Sequence, residues 1–147
     1  MKKFYEDFFL YNYQVNQELA LSFQSYDYIL GDEITRLANH ILNAQQIWIG
    51  RINGEKTLAS PWEEFPLSSF EKRNKELFDV TLDLISGSDL DKGISFRTFA
   101  GPKMEKKISD ILTHLVNHST YHRGQIALLM RSGGFDPVKS DFIYFRK

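Results

Sequence analysis

Apolar residues recur along this chain at intervals of three and four far more often than at intervals of two. Phe4, Phe8, Tyr11, Val15 and Leu19 form one such series. That is the period of a helix with one buried stripe, and the spacing predicts a helix over about Lys3–Phe23. Gly31-Asp32 then interrupts the pattern, with Asp32 as a candidate N-cap. A second series follows, Ile34, Leu37, Ile41, Ala44, Trp48 and Ile52, and stops at Asn53-Gly54. Residues 55–67 contain Ser60-Pro61-Trp62 and Phe65-Pro66; prolines lack the donor that a helix interior needs, so this stretch is a connecting loop. Ser68 or Ser69 can cap a third helix that carries Phe70, Leu77, Val80, Leu84 and Ile85 and ends at Ser86-Gly87-Ser88, its charged positions facing solvent.

The periodicity changes once. Gly93 to Phe99 alternates loosely with period two before Gly101-Pro102, which predicts a short extended segment or small hairpin, marginal on its own. A fourth helix is expected from the region of Lys103–Lys106 to Arg131, with Ser132-Gly133-Gly134 as its stop. Phe135-Asp136-Pro137 and Asp141-Phe142-Ile143-Tyr144-Phe145 make an aromatic tail that should pack back on the helices, because rings left in water forgo burial energy. The expected fold is all-α: one domain over residues 1–147, a four-helix bundle with at least one crossover connection, since the links after the second and third helices are too long for a simple up-and-down ribbon.

Composition narrows the class. The 147 residues suffice for one real core, and 42% hydrophobic with 25% charged residues is an ordinary globular balance. Twelve Phe, seven Tyr and two Trp favour a core filled by rings as well as by aliphatic side chains. A net charge of -1 leaves no cationic surplus for a phosphate backbone, so nucleic acid is not an expected partner. Met1-Lys-Lys leads straight into an amphipathic segment, so neither a signal peptide nor a membrane span is expected, and the expected location is the cytoplasm. There is no cysteine; a catalytic or metal-binding thiol would have to come from outside.

The four histidines are therefore the chain's nitrogen ligands for a metal. His114, His118 and His122 lie on the fourth helix at intervals of four, and His40 lies on the second. With successive residues about 100° apart and His118 at zero, Ile111 and Leu129 fall near 20°, Leu115 near 60°, and Ile108 and Ile126 near 80°. His122 falls about 40° round, inside this stripe; His118 is on its border, and His114 is about 40° beyond it. His118 and His122 thus form the inward pair, and His40 borders the stripe of its own helix, one turn before Ala44. A single histidine on such a face is ordinarily a packed border residue. Paired at i and i+4 on a helix, two can hold one cation. No Glu follows His118, so the His-Glu-x-x-His pattern of zinc proteases is absent.

Asn117-His118-Ser-Thr-Tyr-His122-Arg123-Gly124-Gln125-Ile126, with Leu37-Ala38-Asn39-His40 and Trp48, Tyr11-Asn12, Asp136-Pro and Asp141-Phe142, resembles the DinB superfamily over nearly the whole chain. The His-x-x-x-His-Arg-Gly-Gln core is the most specific part. The resemblance implies a bundle in which His40, His118 and His122 bind a divalent metal ion, zinc or nickel, leaving open positions for water or substrate, and in which His114 is no ligand. It also implies a homodimer. It further implies a small-molecule substrate and, by analogy with relatives that are thiol-dependent transferases and isomerases, a low-molecular-weight thiol such as bacillithiol or mycothiol. A thiol-transferase or hydrolase is one reading; a non-catalytic metal-binding or stress-response module and a structural dimer with a vestigial site are the alternatives. Arg123 reads most simply as a structural salt bridge, Gln125 and Asn117 as potential supports of a ligand histidine, and Trp48 and Tyr121 as packing.

Overall fold

The computed structural model describes residues 1–56 and 58–145. Four helices dominate it: α1 (Lys2–Ser25), α2 (Asp32–Ile52), α3 (Phe70–Gly87) and α4 (Ile108–Ser132). Between α3 and α4 lies an antiparallel hairpin of β1 (Gly93–Arg97) and β2 (Lys103–Lys107), in register from Gly93 opposite Lys107 to Arg97 opposite Lys103. Single 3-10 turns occupy Leu67–Ser69 and Phe142–Tyr144. The architecture is the expected all-α bundle with a small hairpin before the last helix.

Side-chain contacts give the helix directions. Asn16 donates to Asn74 at 3.1 Å and Tyr13 stacks on Phe78, so α1 and α3 run antiparallel. His40 meets His122 while Trp48 meets His114, which makes α2 and α4 antiparallel. Arg73 reaches Asn39 and Asn43, and Gln45 reaches Thr81, so α2 and α3 are parallel. Parallel neighbours cannot be joined by a tight turn. The chain after Ile52 must return along the bundle before α3 can start, and this return is the crossover. A helix of 21 residues is about 31 Å long at 1.5 Å per residue, and the loop has to cover that distance.

The core has two apolar ends and a polar waist. One cluster gathers Phe9, Val15, Ile85, Ile108, Leu112 and Leu115 with the inner face of β1; the other gathers Phe23, Leu30, Ile41, Leu42, Phe70, Ile126 and Met130. Between them Asn12, Asn16, Asn43, Gln45, Asn74, Thr81, Ser119 and Arg123 are buried. Buried polar groups are costly unless hydrogen-bonded, and here they bond one another: Asn16 to Asn74, Asn74 to Gln17 at 2.9 Å, Gln45 to Thr81 at 2.9 Å, Arg123 to Asn12 at 2.7 Å and to Asn16 at 3.0 Å. The waist crosses the bundle at the level of His118 and His122.

Several local expectations are corrected. Helix α4 starts at Ile108, not within Lys103–Lys106, because those residues pair with β1. Asp32 is the first helical residue, its charge favourable beside the helix N-terminus, and Gly31 holds the cap at φ 95° without a side-chain bond. Ser69 precedes α3, yet its hydroxyl donates to the Pro66 carbonyl rather than to the helix. Phe4 is 51% exposed and Val80 45%, since Tyr5 and Thr81 take the inward positions beside them. The charged face of α3 is solvated as expected, with Lys72–Glu76 and Lys75–Asp79 pairs, except that Arg73 turns inward. In the tail Phe142 and Phe145 close on Tyr11, whereas Ile143 and Tyr144 stay in solvent. No helix of the described residues is long and apolar enough to cross a membrane.

Candidate metal centre

Helix α4 aligns His118 and His122 by its own geometry, one turn apart on one side. His40 comes from α2 across the antiparallel contact. The His118 Nε2 lies 3.1 Å from the Nε2 of His40 and 3.1 Å from the Nε2 of His122, and one nitrogen from each of the three falls within 4.8 Å of the others. Among the described residues, these three form the one cluster of metal-ligand type. Three nitrogens bound at about 2.0–2.1 Å around a tetrahedral centre stand about 3.3–3.4 Å apart, close to the two 3.1 Å separations at His118.

The far sides of the rings decide which nitrogens are free. The Nδ1 of His40 lies 2.8 Å from the Pro61 carbonyl, an acceptor only, so this nitrogen carries the hydrogen and donates. His122 is fixed likewise: its Nδ1–H donates to the Gln125 amide oxygen at 2.7 Å, and the Gln125 amide nitrogen reaches the Tyr121 hydroxyl at 3.4 Å. Both rings are therefore held in the tautomer whose Nε2 lone pair points at the shared centre, an arrangement common to histidine ligands of metals. His118 differs. Its Nδ1 is buried without a partner, while its Nε2 faces both other lone pairs. One imidazole hydrogen cannot satisfy two lone pairs at full strength; a cation shared by the three nitrogens can.

Electrostatics favour neutral ligands. Burial, followed by the neighbouring imidazoles of His122, His40 and His114, pulls the His118 pKa down to about 3. His40 is lowered too, chiefly by burial, which outweighs the Pro61 hydrogen bond; His122 and Arg36 push in the same direction as burial. Among the described residues, no carboxylate enters either environment. His40 and His118 are thus held uncharged at neutral pH, and neither would offset the charge of a bound cation.

The other residues singled out in the sequence fall differently. His114 lies outside the cluster, its ring against Trp48 at 5.5 Å and His118 at 5.6 Å. Gln125 accepts from the His122 ring, whereas Asn117 lines a cavity of about 650 Å³ between α1, α4 and the tail. Among the described residues Arg123 makes no salt bridge. Its guanidinium, 3% exposed, is held by Asn12, Asn16 and Thr120, and its Nε has no partner. Trp48 is packing, with Phe96 and Arg51 on it; Tyr121 is 64% exposed beside His122. The sequence marks Pro61 and Trp62 only as loop, yet Trp62 lies flat on His40, the centroids 3.9 Å apart and the planes 6° from parallel. Asn39 and Asn43 hold this loop against α2. The signal for that role was a tryptophan in a proline-containing return that has to pass the site.

A family model described as the DinB family matches residues 20–147. Protein DinB of Bacillus subtilis (strain 168) is 27% identical over 120 residues, covering 74% of this chain and 69% of that protein. No solved structure matches.

Proposed function

The chain belongs to the DinB family, and on that premise we propose that it binds a divalent cation, zinc or nickel, through His40, His118 and His122, and works as a metal-dependent thiol transferase or hydrolase on a small molecule. The observation that carries this reading is the convergence of three Nε2 atoms while carbonyl oxygens hold the opposite nitrogens of His40 and His122. A divalent ion held by three neutral imidazoles supplies an open position that acidifies bound water or a bound thiol. The protein's own part is to keep His40 and His118 neutral, aim the imidazoles, and flank the site with the rings of Trp62 and Tyr121. With no cysteine in the chain, the nucleophilic thiol is a cosubstrate from a reducing cytoplasm. The homodimer expected from the resemblance belongs to the same proposal.

Metal analysis of protein purified without a polyhistidine tag tests it, alongside His118→Ala and His114→Ala. The expected result is near-stoichiometric metal in the parent and in His114→Ala, and loss in His118→Ala. Equal retention in both variants would remove the site. Metal-loaded protein should then turn over electrophiles in the presence of a cellular thiol or water; firm metal binding without turnover against any such panel would leave a metal-binding module and refute the enzyme. Light scattering checks the dimer.

A further inference from the structure

We infer that the return loop between α2 and α3 is a working part of the metal centre, and that Trp62 and Arg73 are positioning residues that hold His40 ready for the cation. This rests on His40 being a ligand, as proposed above. The two ligands on α4 are aligned by their own helix. His40 stands alone on α2, and only groups around it can fix its ring.

Those groups form a continuous chain of contacts. The Arg73 guanidinium donates with one nitrogen to the Asn39 side-chain oxygen at 3.1 Å and with the other to that of Asn43 at 2.7 Å. Each amide, its oxygen so engaged, turns its nitrogen to the loop: Asn39 donates to the Phe65 carbonyl at 2.9 Å, and Asn43 to the Glu63 carbonyl at 2.7 Å and the Pro61 carbonyl at 3.4 Å. The guanidinium also lies 4.1 Å over the Phe65 ring. The Pro61 carbonyl, set in place by this network, accepts from His40 Nδ1. The next residue, Trp62, covers the imidazole face to face, and Arg36 lies 4.4 Å over the same indole.

Two constraints on one ring follow. The carbonyl sets the tautomer and the rotation of the imidazole within its plane, and the indole sets the plane itself. Arg73 makes no ion pair within 4.0 Å among the described residues; burial lowers its pKa, opposed in part by the charges of Glu63 and Glu76. A partly buried cation whose hydrogen bonds both go to neutral amides is aimed by those two oxygens; a lysine lacks the planar fork that reaches both. Groups that orient a ligand histidine from behind typically alter metal affinity about 10- to 100-fold when removed.

The test uses Zn²⁺ and Ni²⁺ alone as probes, with affinity read by competition against a chromophoric chelator. The variants are Trp62→Ala, Trp62→Phe, Arg73→Lys and Arg73→Met, with thermal unfolding of each metal-free form as a check on folding. Long-range nitrogen–proton NMR spectra of the histidines report the tautomers without metal. Trp62→Ala and Arg73→Lys should weaken binding about 10-fold or more, and Trp62→Phe should restore it to within about 3-fold. The Nδ1–H signature of His40 should be lost in both Arg73 variants while that of His122 persists. Unchanged affinity and an unchanged His40 tautomer in Trp62→Ala and Arg73→Lys would overturn the inference while leaving the metal site intact. Absence of metal binding by the parent would instead refute the metal reading, and the tautomer spectra would still decide whether Arg73 positions the ring.

Discussion

Thr81 and Gln45 offer a direct test of the polar waist. Thr81 is fully buried and Gln45 is 4% exposed. The Gln45 amide nitrogen donates to the Thr81 hydroxyl at 2.9 Å, and that hydroxyl donates in turn to the Leu77 carbonyl at 2.6 Å. The pair is thus asymmetric. Thr81→Val keeps the volume and opens no cavity, but it strands a buried amide donor, which costs about 1–3 kcal/mol. At roughly 2–4 °C per kcal/mol for a domain of this size, the melting temperature should fall by about 2–12 °C. Gln45→Leu leaves the Thr81 hydroxyl its bond to Leu77 and should cost less. In the double variant no donor is stranded, so its stability should approach that of Gln45→Leu alone, with a coupling of about 1–2 kcal/mol. Calorimetry or urea titration of the four proteins measures the cycle. A neutral Thr81→Val, or a double variant whose loss is the plain sum of the singles, would refute the claim that the waist is stabilised by mutual satisfaction of its polar groups.

Acid should destabilise the metal-free protein in a defined window. His118 binds its proton less readily when folded, with its pKa moved from 6.5 to about 3, so the unfolded chain holds more protons between those values and stability falls as pH drops through that range. The decline in melting temperature from pH 7 to pH 5 should be shallower in His118→Phe; an equal decline would show that His118 does not contribute. Gln125→Leu removes the acceptor for His122 Nδ1 and should weaken Zn²⁺ binding about 10- to 100-fold, measured by chelator competition, with unchanged affinity as the contrary result. Gly31 caps α2 at φ 95° and ψ 161°, and a methyl group there would meet nothing within 4 Å. Gly31→Ala should still cost about 1–3 kcal/mol from backbone strain alone, and unaltered unfolding would contradict it.

Much of this molecule is readable along one dimension. Leu37, Ile41 and Ala44, or Ile108, Ile111, Leu115 and Ile126, repeat with the helix and mark a face, so the four helices and the inward turn of His122 follow from spacing alone. Single positions near the stripe edge were less legible. Phe4 and Val80 keep the period yet lie outside, and Tyr5 and Thr81 replace them, because a stripe is wider than the contact that finally covers it. The strand character of Lys103–Lys107 was hidden: its five residues are all exposed and mostly polar, and only pairing with β1 makes them extended.

The local sequence, then, determined the helices, the breaks between them and the pairing of His118 with His122, since each depends on residues within a few positions of one another. Tertiary structure decided the rest. That His40 meets that pair depends on α2 lying antiparallel to α4. That Pro61 and Trp62 close on His40 depends on α2 and α3 being parallel, which forces the loop back past the site. That Arg123 bonds to Asn12 and Asn16 rather than to a carboxylate depends on how α1 lies against α4. Contacts between groups dozens of residues apart follow from the packing of helix faces, and a periodic pattern identifies a face without naming its partner.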